Sequence, residues 1–406
     1  MKKLCSLLFV VILCACATTP KYPPGQDTYY VMATGSDRNN GFSELTAFRS
    51  LFKAMAAAAN GPIKKITVLG TLDVTTEQSS NRERVFLIQS MGKGEILICG
   101  ADGEPAVLSA AGSGRRAVLV RGTAPIRFEN IEITGGFSSS EGGGLGIGPG
   151  SAVTLGPGAV VRDNASANIG GGIVVARGAS LVVEGGKVTG NRSSAVGGGI
   201  AVLGVSSSNA GVLVIREGEI SNNRAQGGGG IAVYQGSTFT LSGGGIYDNT
   251  ADLAGGGVLV SQGAVFTMEG GLVRGNRSLG SGGGLALLED GSFVLKSGEI
   301  HGNRASEHGG GIAADALSSI NMDGGFISAN EAAVRGGGIF SAGPFEKSGG
   351  KIYGNDVPED TANTAETGTA VFIFSMDGMN KIREESAGEG MSLDTASGEG
   401  WTIFEE

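Results

Sequence analysis

The chain has 406 residues, 75 of them glycine, and a formal net charge of −9. So much glycine excludes an ordinary globular domain, and the absence of a Gly-X-Y period excludes collagen. Almost all the excess acid lies in residues 356–406 and the rest of the chain is close to neutral, which argues against nucleic acid as a partner, because a polyanion needs a basic surface to displace its counterions.

Lys2, Lys3, the apolar run Leu7 to Leu13 and the small residues before Cys16 read as a secretory signal over residues 1–15, too short to span a bilayer as a helix. Leu13-Cys14-Ala15-Cys16 resembles the lipobox of bacterial lipoproteins. That resemblance implies acylation at Cys16, a membrane partner held through the lipid, and a place on the bacterial outer membrane or cell surface. Residues 16–27 contain Pro20, Pro23 and Pro24 and are expected to form a semi-extended tether. Only Cys16 and Cys99 survive removal of the signal, so no disulfide is expected. Cys99, inside Ile96-Leu97-Ile98-Cys99, reads as a small core residue.

Residues 28–65 read as an N-terminal cap. Tyr29 to Ala33 is a first strand, Gly35 to Gly41 a turn-rich loop, and Phe48, Leu51, Phe52, Met55 and Ala59 fall at helical spacing up to Asn60-Gly61. This segment resembles the entry cap of right-handed β-helix proteins, in which such a helix covers the apolar end of the first coil. Asp37 is expected to close the loop rather than hold a metal. Residues 66–141 contain short β-branched runs, Ile66 to Leu72, Val85 to Gln89, Glu95 to Cys99, Ala106 to Ser109, Ala117 to Val120 and Ile126 to Thr134, enough for about two irregular coils.

From residue 142 to 355 a sentence of about 27 residues repeats. Its closing asparagines, Asn164, Asn191, Asn223, Asn249, Asn276, Asn303, Asn330 and Asn355, are separated by 27, 32, 26, 27, 27, 27 and 25 residues. A fixed period of this length means a solenoid, and parallel coils joined with the usual hand make an all-β, right-handed parallel β-helix of about ten coils. Four apolar columns define its core: Leu181 to Ile320, Val183 to Met322, Val188 to Ile327 and Ile173 to Ile339. The asparagines are expected to stack as a hydrogen-bonded ladder, and the glycine triplets to mark turns that exclude a Cβ. The longer step after Asn191 places a surface loop at Gly204 to Asn209. Residues 356–406, with twelve acids against two bases, read as an acidic C-terminal cap or tail in which Ala370 to Phe374 adds one last strand.

These repeats resemble those of the polymorphic outer membrane proteins, with Gly-Gly-Gly before an aliphatic residue and an aliphatic residue before x-x-Asn, as in Ile246-Tyr-Asp-Asn249. The fold implied is the pectin-lyase-like β-helix, and the function implied is surface display as an adhesin or binding scaffold for host or envelope macromolecules. The alternative is a carbohydrate-active enzyme, a polysaccharide lyase or hydrolase, which needs clustered carboxylates. The column where such a cluster belongs reads Glu184, Arg216, Ser242, Glu269, Lys296 and Asp323, an ion-pair ladder, so the enzyme question leans towards no. No catalytic residue, cofactor or metal site is expected, and His301 and His308 read as solvated side chains. Arg192, Arg224, Arg277 and Arg304 share one column, interrupted by Thr250, and are candidates for gripping an acidic glycan or a protein ligand. Val174, Ala201, Ala232, Leu259, Ala286, Ala313 and Phe340 form an apolar column that alternation places outward. Leu259, Ala286 and Phe340 are therefore candidates for a docking face, covered by the C-terminal segment, a partner or a second copy.

Overall fold

The computed structural model describes residues 22–77, 85–90, 92, 94–205, 207–354, 358, 360–375 and 401–405; Cys16 and residues 1–15 lie outside these. It is an all-β parallel solenoid of about nine turns. Short strands recur once per coil and pair in parallel with their counterparts one coil away, forming sheets of twenty-one, twelve and eight strands. Register follows the repeat without slippage through the core columns. Leu213 pairs with Phe239, Phe239 with Phe266, Phe266 with Phe293, and Phe293 with Ile320. All five side chains are buried. Inside, the rings of Phe239 and Phe266 stack at 4.3 Å. The other three columns are in register in the same way, as in-phase repeats require when one face of each strand must be buried.

Glycine triplets make the sharp turns because each of the three positions excludes a side chain for its own reason. In Gly255-Gly256-Gly257 the first residue has φ +66°. At the second, a Cβ would run into the carbonyl oxygen of Gly283 one coil on, and at the third it would lie 2.8 Å from the carbonyl of Gly284 and 3.0 Å from the Asn276 amide. Glycine is the residue that meets all three demands.

The asparagine ladder is continuous and buried. Asn276 donates from its backbone N and from Nδ2 to the Oδ1 of Asn303, both at 3.0 Å, and Nδ2 donates again to the carbonyl of Ile246 at 2.9 Å. Its own Oδ1 accepts the same pair of bonds from Asn249. The eighth rung differs from the sequence reading. Asn355 lies outside the described residues, and the partner of Asn330 is Asn363, whose Oδ1 accepts from the N and Nδ2 of Asn330 at 2.9 Å. Asn363 is tied in turn to the carbonyls of Ile327 and Tyr353. The same chemistry thus closes the ladder after a longer excursion of the chain.

At the N-terminal end, strand β1 (Thr28–Met32) pairs with Lys65–Leu69, and helix α1 (Leu51–Asn60) covers the first coil. The helix starts later than its apolar spacing suggests, because Ser50 caps it and Phe48 is spent in a β-bridge to Val31. Its buried face is Leu51, Ala54, Met55 and Ala58, which leaves Phe52 40% exposed, contrary to the spacing argument. Asp37 does close the loop, accepting from the backbone N of Arg49 and Ser50 and from Ser50 Oγ.

Glu77 ties the first coil to this cap, accepting from the N–H groups of Leu51 (2.8 Å) and Phe52 (3.1 Å). Burial pushes its carboxyl up to about 7; the two N–H donors oppose that shift and the nearby Asp37 charge adds to it. A carboxyl raised in the folded state stabilises fully below its unfolded pKa, and the contribution is lost as pH rises through 7. At about 1.4 kcal/mol per pH unit, the loss between pH 4.5 and pH 7 is about 3 kcal/mol. Amide protection factors in α1, corrected for intrinsic exchange, should therefore fall from pH 5 to pH 8 in the native chain and stay level in Glu77→Gln. Identical pH profiles would remove Glu77 as the cause.

The apolar column from Val174 to Phe340 corrects the sequence reading most. It does face away from the core, yet it is not a bare docking surface: Ala201 and Ala232 are buried completely, and Leu259 and Ala286 are 5% and 1% exposed. The cover is the chain itself. The segment before each glycine triplet runs over this face, bridging coil to coil through Ile169, Val196 and Gly227 and again through His308, Arg335 and Thr367. Sizes are matched across the contact, since a Cβ on Gly227 would lie 2.8 Å from Leu259 Cδ2. Ala370 to Phe374 does not lie over the column either. Strand Val371–Ser375 pairs beside Ile339–Ser341 and places Phe372 next to Phe340, lengthening the column by one residue.

The C-terminal end carries a charge in a core column. Lys347 pairs with Met322, so it occupies the position held by Val183, Ile215, Leu241, Met268 and Leu295 in earlier coils. Its ammonium is buried with no hydrogen-bond partner among the described residues, and burial lowers its pKa. An inward charge on a terminal strand discourages another strand from adding there.

Candidate binding surface

The eight-stranded sheet carries the arginine column on its outer side. Arg192 pairs with Arg224, Arg224 with Thr250, Thr250 with Arg277, Arg277 with Arg304 and Arg304 with Glu331, in unbroken register. All four guanidinium side chains are exposed, because the next residue of each strand, Ser193, Ala225, Ser278 or Ala305, is the buried one. Small residues there let the strand sit close to the core. Arg224 is paired with Asp252 at 2.7 Å and Arg304 with Glu331 at 2.9 Å. Among the described residues, Arg192 and Arg277 have no acidic partner.

Across the corner occupied by the ladder lies a second column, Thr189, Ser221, Tyr247, Arg274, His301 and Ser328, which faces away from the core although Ser221 and Ser328 in it are buried rather than solvent-facing. Tyr247 lies against Gly245 so closely that any Cβ there would strike its ring, and the side chain remains partly exposed. The neighbours of Gly245 along its own column are Glu219 and Leu272, so the glycine is a gap that the tyrosine fills. Arg274, one coil on, is exposed and also without an acidic partner among the described residues. Asp248 sits at the turn in a left-handed conformation, φ +52°, exposed between these two columns.

Comparison of the chain with known protein families, characterised proteins and solved structures yields no match. The surface must therefore be read from its own chemistry.

Neither histidine is simply solvated. His301 Nδ1 is 3.0 Å from Ser328 Oγ and 3.5 Å from Glu299. The His308 ring stacks on Phe340 at 4.7 Å, and Phe340 stacks on Phe372 at 5.6 Å. Burial, and next the Arg335 charge, hold the His308 imidazole below its ordinary pKa. Among the described residues, no group of three or more His, Cys, Asp or Glu side chains is placed to hold a metal ion. The charge column before the glycine turn pairs as opposite signs, Arg216 with Glu184 and Lys296 with Glu269 at 3.1 Å, and Arg127 joins Glu184 at 2.9 Å. Such half-exposed pairs contribute tenths of a kcal/mol. Cys99 is buried beside Thr67 at 3.8 Å, and burial raises its thiol pKa. The added length after Asn191 lies between strands Ile200–Val202 and Val212–Ser221, as expected.

Proposed function

We propose that this chain is a lipid-anchored binding scaffold displayed at a bacterial surface, an adhesin in type. The observation that supports it best is the exposed arginine column, in which Arg224 and Arg304 are paired while Arg192 and Arg277 have no acidic partner among the described residues. A stack of in-register coils holds the backbone positions of those arginines at a fixed spacing of about 4.8 Å per coil, and such preorganisation favours binding because no backbone order remains to be imposed. The sequence adds the anchor: the lipobox-like Cys16 would tie the tether, and through it the rod, to a membrane.

Cys16→Ala should move the full-length protein from the membrane fraction to the soluble fraction on fractionation of expressing cells. Unchanged partitioning would refute the anchor. Incubation with acidic polysaccharides, with and without calcium, should leave their chain length unchanged; shortening would replace the scaffold reading by an enzymatic one.

A further inference from the structure

We infer that the corner running beside the asparagine ladder is a binding site for an anionic polysaccharide, with one sugar ring resting on Tyr247 and its charged substituents held by Arg274 and Arg277. The inference rests on the scaffold reading and gives it a ligand class. Four features converge at one place. Tyr247 is laid against Gly245 and partly exposed, an apolar platform of the kind that receives the C–H face of a sugar. Arg274 is its direct neighbour one coil on. Arg277 follows on the far side of the same turn, and both guanidinium groups are exposed without acidic partners among the described residues. Asp248, on the turn after Tyr247, lies against Gly275 of the turn that carries both arginines, and a carboxylate there is an acceptor for sugar hydroxyls, which a purely anion-binding patch would not contain.

Charge then separates sugar polymers from other anions. Arg224 and Arg304 flank the corner but are neutralised by Asp252 and Glu331, so among the described residues the column keeps free charge only at Arg277 and, three coils away, at Arg192, which breaks it into short pieces. A nucleic acid strand needs a long basic track and several stacking rings. This surface offers a short track and one ring. A polysaccharide that presents sulfates or carboxylates beside the face of a sugar ring fits that distribution, with bidentate guanidinium contacts supplying the specificity.

The test uses the full-length protein and four probes: dextran sulfate, polygalacturonate, neutral dextran and single-stranded oligothymidylate. Titration calorimetry should show binding of the two anionic polysaccharides and none of neutral dextran or oligothymidylate. Tyr247→Ala, and separately Arg274→Ala with Arg277→Ala, should each weaken binding about tenfold, a loss of about 1.4 kcal/mol. Tyr247→Phe should retain it, because the ring is kept. Arg162→Ala is the control, since Arg162 lies three coils away and is already paired with Glu132 and Asp163. Thermal melting checks that each variant is folded. Binding that persists in the Tyr247 and arginine variants would place the ligand elsewhere on the rod, overturning this site while leaving the scaffold intact. No binding of either polysaccharide, or equal binding of oligothymidylate, would overturn the ligand class. Shortened polysaccharide chains in the same samples would instead overturn the scaffold reading.

Discussion

Asn276→Leu should lower the stability of the rod by on the order of 5 kcal/mol, the largest single effect expected in this chain. The change removes the two bonds that Nδ2 donates and the two that Oδ1 accepts, all buried, while the backbone N–H bond to Asn303 remains; it leaves the backbone N–H and Nδ2 of Asn249 and the carbonyl of Ile246 each one partner short. Each buried group left unpaired costs about 1–3 kcal/mol, while leucine contributes apolar burial only where it fits. Because coils contact only their neighbours, the damage should begin locally and split the melting transition. Thr250→Ala, one residue beyond the ladder and partly exposed, should change stability by only tenths of a kcal/mol. Urea midpoints for the two variants measure the difference, and equal midpoints would mean that the ladder contributes nothing.

Leu259→Asp carries the second largest effect, a destabilisation of about 3–5 kcal/mol. Leu259 faces away from the core, so alternation alone would let an aspartate sit there in water with the fold intact. Yet it is 5% exposed, packed under Gly227 and flanked in its column by Ala232 and Ala286. A carboxylate placed there loses its water and meets no partner. Circular dichroism melting should show the loss directly. A variant as stable as the native chain would mean that the covering segment lifts away from this face.

The core columns and the ladder were legible in the sequence because parallel, in-register stacking gives every residue of one phase the same surroundings. Like residues recur where like environments recur. The cover over the Val174 to Phe340 column was not legible, since period-2 alternation says which side of a strand a residue faces but not whether another segment of chain crosses that side. The last rung was missed for a related reason: Asn355 continues the count, but pairing selects the asparagine that space brings round, which is Asn363. Phe52 and His308 were misjudged by spacing and polarity, which ignore a cap at Ser50 and a ring stacked on Phe340. The sequence signal for the Tyr247 platform is a lone glycine, Gly245, in a column whose adjacent members are Glu219 and Leu272.

Display and binding can be tested in one measurement, the retention of whole cells carrying the full-length chain on a surface coated with dextran sulfate, compared with an uncharged dextran surface. An anchored scaffold predicts retention on the sulfated surface alone, lost when Cys16→Ala frees the protein from the cell. Equal retention of cells with and without the anchored chain would contradict the account.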